Sequence, residues 1–196
     1  MNQDQMQNDI SIIKRMIDQT RRHTAESGSL FISIGMLWLF VPVLLVFLEK
    51  SSLKHYWWPV FIGGLVITLV IGLLIGIRES KKSLPLTYAK KVFSQLWIAV
   101  GSVCILTSVL FPLAGVYPEQ YISIITWPVI AIGVYLSGVI YEITVIRWLS
   151  SSWLFGAILM AFITIPIHLY IAVFTLFFGF VLPGIVFSRN YKKRSI

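Results

Sequence analysis

From Tyr56 to Ile77 the chain runs for 22 residues without a charged side chain, YWWPVFIGGLVITLVIGLLIGI. At about 1.5 Å of rise per residue, a helix of that length covers about 33 Å, close to the hydrocarbon thickness of a bilayer. Its ends differ in chemistry. Tyr56, Trp57 and Trp58 are amphipathic rings suited to the headgroup level, and Arg78, Lys81 and Lys82 follow at the other end and mark a cytoplasmic side. The segment therefore reads as a membrane-spanning helix, and it sets the solvent and the length scale for the rest of the chain.

Five more apolar segments accompany it, so that spans are expected at 30–48, 56–77, 92–114, 122–141, 151–167 and 168–187. Of the 196 residues 57% are hydrophobic and 12% charged, and the mean hydropathy of +0.84 lies outside the range of soluble domains. The expected fold is all-α: one polytopic bundle of six transmembrane helices over 30–187, with a tail at 1–29 and a basic tail at 188–196. Residues 151–187 are almost continuous in apolar character. Only Pro166, Ile167 and His168 suggest a turn between the last two spans, and shorter, partly re-entrant helices are the alternative there. Charge favours six spans. With the N-terminus inside, 14 of the 16 Lys and Arg residues fall in cytoplasmic segments, leaving only Lys50 and Lys54 outside. Both termini are expected to be cytoplasmic.

The tail at 1–29 is too long and too polar for the front of a cleavable signal peptide. Met6, Ile10, Ile13 and Ile17 recur at spacings of four, three and four, which places them on one stripe of a helix. Lys14, Arg15, Asp18, Arg21 and Arg22 occupy much of the remaining surface, and Ser27 and Gly28 end the pattern. An amphipathic helix of this kind lies on a membrane surface or docks a cytoplasmic protein, with Ile10, Ile13, Ile17, Arg21 and Arg22 as its contact residues. The net charge of +8 sits beside apolar segments, so orientation and anionic lipid account for it and nucleic acid does not.

Within the spans, ionisable residues are the best guide to chemistry, because a charge at mid-bilayer costs at least about 2.5 kcal/mol. None falls at mid-depth. Glu142 sits at the end of the fourth segment beside Tyr141 and five residues before Arg147, making Tyr141, Glu142 and Arg147 the one polar membrane site to consider. Single Cys104 supplies neither a disulfide nor a CxxC site, and His23, His55 and His168 are too dispersed for one ligand cluster, so no metal and no cofactor is expected. Ser150, Ser151 and Ser152 near Arg147 are hydroxyls that a lipid headgroup could meet, and no nucleophile and base pair accompanies them. Small residues predict helix packing at Gly72 with Gly76 and at Gly133 with Ser137, the former also as a face for a second copy of the chain. Pro42, Pro112, Pro166 and Pro183 lie in or near the ends of spans, where proline kinks a helix and frees backbone carbonyls. Trp58-Pro59-Val60 with Gly64 is matched 69 residues later by Trp127-Pro128-Val129 with Gly133, a weak internal recurrence between the second and fourth spans.

Ile13, Met16-Ile17, Thr20-Arg21 and Glu26-Ser27-Gly28, followed by Leu30-Phe31 and Gly35-Met36-Leu37-Trp38, resemble the opening of a group of small, uncharacterised bacterial integral membrane proteins. Leu182-Pro183-Gly184 before a basic C-terminus is similar to them as well. The resemblance implies a bacterial inner membrane and no particular activity. The expected function is non-enzymatic, regulation or interaction through the cytoplasmic helix. A transporter or channel for a small neutral or apolar solute is the alternative, motivated by the kinked, glycine-rich helices.

Overall fold

The computed structural model describes residues 25–49, 51–80, 88–163 and 167–194. These form α1 (Ala25–Glu49), α2 (Trp57–Ser80), α3 (Tyr88–Ile105), α4 (Ile122–Ile140), α5 (Thr144–Leu149), α6 (Ser151–Phe162), α7 (His168–Leu176) and α8 (Leu182–Arg194). Two π turns interrupt the pattern. Leu106–Leu110 prolongs α3 into a last turn at Phe111–Leu113, and Phe177–Val181 joins α7 to α8. Among the described residues there is no strand, and six helical stretches are long and apolar enough to cross a membrane. They run Gly28–Glu49, Trp57–Arg78, Lys91–Leu113, Glu119–Ile140, Thr144–Phe162 and His168–Arg189. The chain is a multi-pass membrane protein by this architecture.

The fifth span differs from the expected 151–167. It begins at Thr144, seven residues earlier, and ends at Phe162, where Ile163 turns extended at φ −105°, ψ 147°. Ser150 keeps helical angles of −61° and −27°, so α5 and α6 continue one another as a single crossing. A tight reversal after Ile140 makes the early start geometrically feasible. Glu142 adopts a left-handed φ of 55°. The Ile143 amide donates to the Gly138 carbonyl at 2.8 Å and the Glu142 amide to Val139 at 3.1 Å. That pair of bonds is a Schellman ending, which usually places glycine where Glu142 stands. The same ending closes the third span with Gly115 at φ 72°, Val116 donating to Phe111 and Gly115 to Pro112.

Glycine decides how closely the helices approach. A Cβ on Gly28 would lie 2.8 Å from Ser188 Oγ, and one on Gly184 would lie 2.9 Å from the Ile32 amide nitrogen. The start of the first span and the end of the last are therefore neighbours at one end of the bundle, here the terminal end, as an even number of crossings requires. α4 packs on α3 and α6, and α6 on α7. α2 leans on α1, and only Phe61 and Gly64 of its described residues are buried.

Aromatic rings fill the centre. Phe31 of α1 stands edge-on to Trp97 at 5.4 Å and lies 5.5 Å from Phe187 and 6.0 Å from Phe180. Trp153 meets Phe180 at 4.9 Å and Trp127 at 5.7 Å, both edge-to-face. Such pairs contribute about 0.5–1.5 kcal/mol each beyond the area they bury. Trp127 and Trp153 belong to this core, although a tryptophan near the end of an apolar segment usually lies at the membrane interface; Trp153 has no exposed surface at all. Trp153 fits because its ring lies against Gly179, where a Cβ would come 2.5 Å from Cε2.

Two glycines provide a paired test. A methyl at Gly156 would collide with Thr175 Oγ1 and lie 2.7 Å from Trp127 Cζ3, whereas nothing lies within 4 Å of one at Gly72. Gly156→Ala is expected to cost about 1–3 kcal/mol of stability by overpacking. Gly72→Ala should be neutral or stabilise by up to about 1 kcal/mol through helix propensity. Thermal unfolding of the two variants in the same detergent checks the contrast.

Candidate functional site

Hydrocarbon offers no water to a backbone carbonyl that has lost its helical partner, so each such carbonyl needs a donor from the protein. Proline creates such positions in the third and the last spans. Pro112 has no amide proton to offer the carbonyl of Ser108, four residues earlier, and Pro183 has none for Gly179. Each helix answers with a π turn, the amide of Phe111 reaching back five residues to Leu106 and that of Leu182 to Phe177. The turn leaves the Thr107 carbonyl without its usual donor, and the Tyr117 hydroxyl donates to it. In the other π turn Trp153 Nε1 donates to the Gly179 carbonyl at 3.2 Å.

A tryptophan donates in the same way between two other pairs of helices, there through a hydroxyl. Trp38 Nε1 of α1 donates to Thr68 Oγ1 of α2 at 2.9 Å, and Thr68 donates to the Gly64 carbonyl at 2.8 Å. Trp97 Nε1 of α3 donates to Ser137 Oγ of α4 at 3.1 Å, and Ser137 donates to the Gly133 carbonyl at 2.7 Å. In both pairs the valine three residues after the tryptophan, Val41 or Val100, packs on that glycine, its Cγ2 standing 3.2 Å and 3.1 Å from where a Cβ would sit. The recurrence is thus wider than the Trp-Pro-Val and glycine match seen in the sequence. It includes a W-x-x-V in the preceding helix and a hydroxyl four residues after the glycine. The third hairpin uses Trp153 and Gly179 directly, with Pro183 where the other two carry the hydroxyl.

Gly133 and Ser137 therefore form part of a packing and hydrogen-bonding contact between α3 and α4. Gly72 and Gly76 touch no other helix among the described residues. The Tyr141 ring lies tilted at 5.3 Å from Phe93 and edge-to-face at 5.6 Å from Phe187, Glu142 makes the left-handed turn, and Arg147 Nε donates to the Gly138 carbonyl at 3.3 Å. These three are brought within one reversal. Arg147 serves there as a cation at the carbonyl end of α4, where the helix dipole favours it. Ser150, Ser151 and Ser152 spend their protons on the carbonyls of Arg147, Trp148 and Leu149, at 2.6, 2.6 and 2.8 Å. Ile10, Ile13, Ile17, Arg21 and Arg22 lie outside the described residues.

Two features lie beyond those singled out in the sequence. Thr107 and Thr126 face one another across α3 and α4 at 3.3 Å, both buried, beside the first π turn. Ser108, in that turn, is buried and its Oγ finds no hydrogen-bond partner among the described residues. The proline four residues on was the available signal. An apolar groove of about 490 Å³ also runs between α6 and α7, walled by Phe155, Leu159, Phe174 and Phe178. Its walls match hydrocarbon in character. Among the described residues no three His, Cys, Asp or Glu side chains gather as a metal site.

No family model, curated protein or solved structure matches this chain. The resemblance at its two ends rests on those residues alone.

The tryptophan contacts are testable by a double-mutant cycle. Trp97→Phe and Ser137→Ala should be non-additive by about 0.6 kcal/mol, and by no more than about 1.7, the range for side-chain hydrogen bonds between membrane helices. Refolding equilibria of the two single variants and the double variant in mixed micelles give the coupling; strict additivity would remove the contact as a stabilising bond.

Proposed function

We propose that this is a non-enzymatic regulatory or interaction protein of a bacterial inner membrane, with both termini cytoplasmic. Its amphipathic segment at 10–22 makes the working contact with a cytoplasmic protein or with the lipid surface. The observation that carries the reading is the filled centre. Phe31, Trp97, Trp153, Phe180 and Phe187 interlock in the core of the bundle, and a close-packed interior of this kind holds its helices in one arrangement. A bundle so built suits an anchor for contacts made at its ends. The cytoplasmic orientation draws on the distribution of Lys and Arg, and the contact surface on the stripe of Ile10, Ile13 and Ile17 flanked by Arg21 and Arg22.

The experiment uses the full-length chain with Ile13→Asp and Ile17→Asp together. Loss of a co-purifying protein, or of anionic-lipid dependence, while the bundle still inserts and unfolds normally, is the expected outcome. Identical co-purifying sets from both chains would move the function into the bundle.

Carriage of a small neutral solute is the second reading, favoured by the buried Thr107 and Thr126 hydroxyls beside a proline-linked π turn. Val134 has no exposed surface and sits in the core. Val134→Cys should stay silent to a water-soluble thiol reagent if the bundle is an anchor, and should react, with protection by solute, if it is a carrier.

A further inference from the structure

We infer that the first π turn holds a neutral, water-sized hydrogen-bonding molecule at Ser108, reached from the Tyr117 end of the bundle. Ser108 is 3% exposed, and its Oγ has no partner among the described residues. Other span hydroxyls show what it forgoes. Thr68, Ser102, Thr107 and Ser137 each donate to the carbonyl four residues earlier, at 2.7–2.8 Å. The carbonyl four residues before Ser108 belongs to Cys104, and Thr107 Oγ1 already approaches it at 3.3 Å. The Ser108 carbonyl has in turn lost its α-helical donor, because Pro112 stands where that amide would be. One residue therefore presents both a hydroxyl without an acceptor and a carbonyl without its α-helical donor.

The chemistry of the missing partner follows from these groups. It must accept from the Ser108 hydroxyl and donate in return, which a water molecule or a hydroxylic group of that size does. It must be neutral, because a charge buried within a span costs at least about 2.5 kcal/mol and Ser108 is buried. The Thr107 proton is already given to the Val103 carbonyl at 2.8 Å, so the proton in the Thr107–Thr126 pair comes from Thr126. Buried waters commonly make about three hydrogen bonds to polar groups of this kind. Access is short. Ser108 lies five residues before Leu113, about 8 Å below the end of the span. Beyond that end, Ala114, Gly115, Val116 and Pro118 are exposed, and half-buried Tyr117 reaches back to the Thr107 carbonyl. Water entering beside Tyr117 has one and a half turns of helix to pass.

Cysteine substitution of the full chain in sealed membranes tests this, with a small cationic methanethiosulfonate as the probe. Native Cys104, one turn deeper on the same helix and partly buried, is the internal control. The Cys104→Ala, Ser108→Cys chain should react at least about tenfold faster than the wild-type chain carrying Cys104 alone, because a thiol reacts as its thiolate and that forms where water reaches. Ser108→Ala should lower the unfolding midpoint by about 2–4 °C, since it removes an anchored hydrogen bond. A silent Ser108→Cys chain that unfolds like wild type would overturn the inference. So would a Ser108→Ala chain more stable than wild type, the result expected of a dry, unpaired hydroxyl. Reaction at Ser108→Cys with silence at Val134→Cys would mark a shallow polar site and not a path through the bundle.

Discussion

The bundle depends on keeping backbone carbonyls partnered where there is no water to partner them. An unsatisfied group in hydrocarbon costs several kcal/mol, comparable to the whole net stability of many domains. The helices satisfy most of their own groups. At Pro112, at Pro183 and at the end of α4 the ladder is interrupted, and there side chains donate. Tyr117 serves Thr107, Trp153 serves Gly179, and Arg147 serves Gly138 at the end of α4. The Trp153 and Arg147 bonds also join neighbouring helices, so partnering carbonyls and packing the bundle are linked there.

Seen in this way, the six spans are three hairpins, each locked by a tryptophan from its first helix to a glycine of its second. In the first two the bond passes through a hydroxyl, Thr68 or Ser137, and a valine fills the space over the glycine. In the third the indole reaches the glycine carbonyl itself. The reason is local: Pro183 takes the position of the hydroxyl and at the same time empties the Gly179 carbonyl that the indole then fills. Glycine is needed because the donor must come close, and tryptophan because its single proton sits at the tip of a large apolar ring that also packs the core. The tryptophan of the third hairpin is also the most buried of the three.

Much of this could be read in advance, and the limits have physical causes. Length, hydropathy and the basic flanks identify six crossings, because the hydrocarbon thickness sets the length of each and proline and glycine punctuate them. The pairing of Gly133 with Ser137 was legible as small-residue packing. Gly72 with Gly76 had the same spacing, yet a Cβ on either would meet nothing within 4 Å among the described residues, since spacing places residues on a face and says nothing of what that face meets. Glu142 was noticeable as a carboxylate near a helix end. Its left-handed turn was not, because the Schellman position signals itself through glycine, as Gly115 does at the end of the third span. Without that signal the fifth span was expected to start seven residues late, and Arg147 to lie in a loop.

The sequence by itself determined the solvent, the helical class and the number of crossings, since these depend on one-dimensional quantities: the length of an uncharged run, its composition and the charges beside it. Only the tertiary structure decided which carbonyl each indole or phenol serves, that Trp127 and Trp153 are core residues and not interface anchors, and that Ser108 is left over. Those outcomes depend on distances between residues 10 to 40 apart in sequence, set in part by how closely glycines let the helices approach, and no local pattern encodes them.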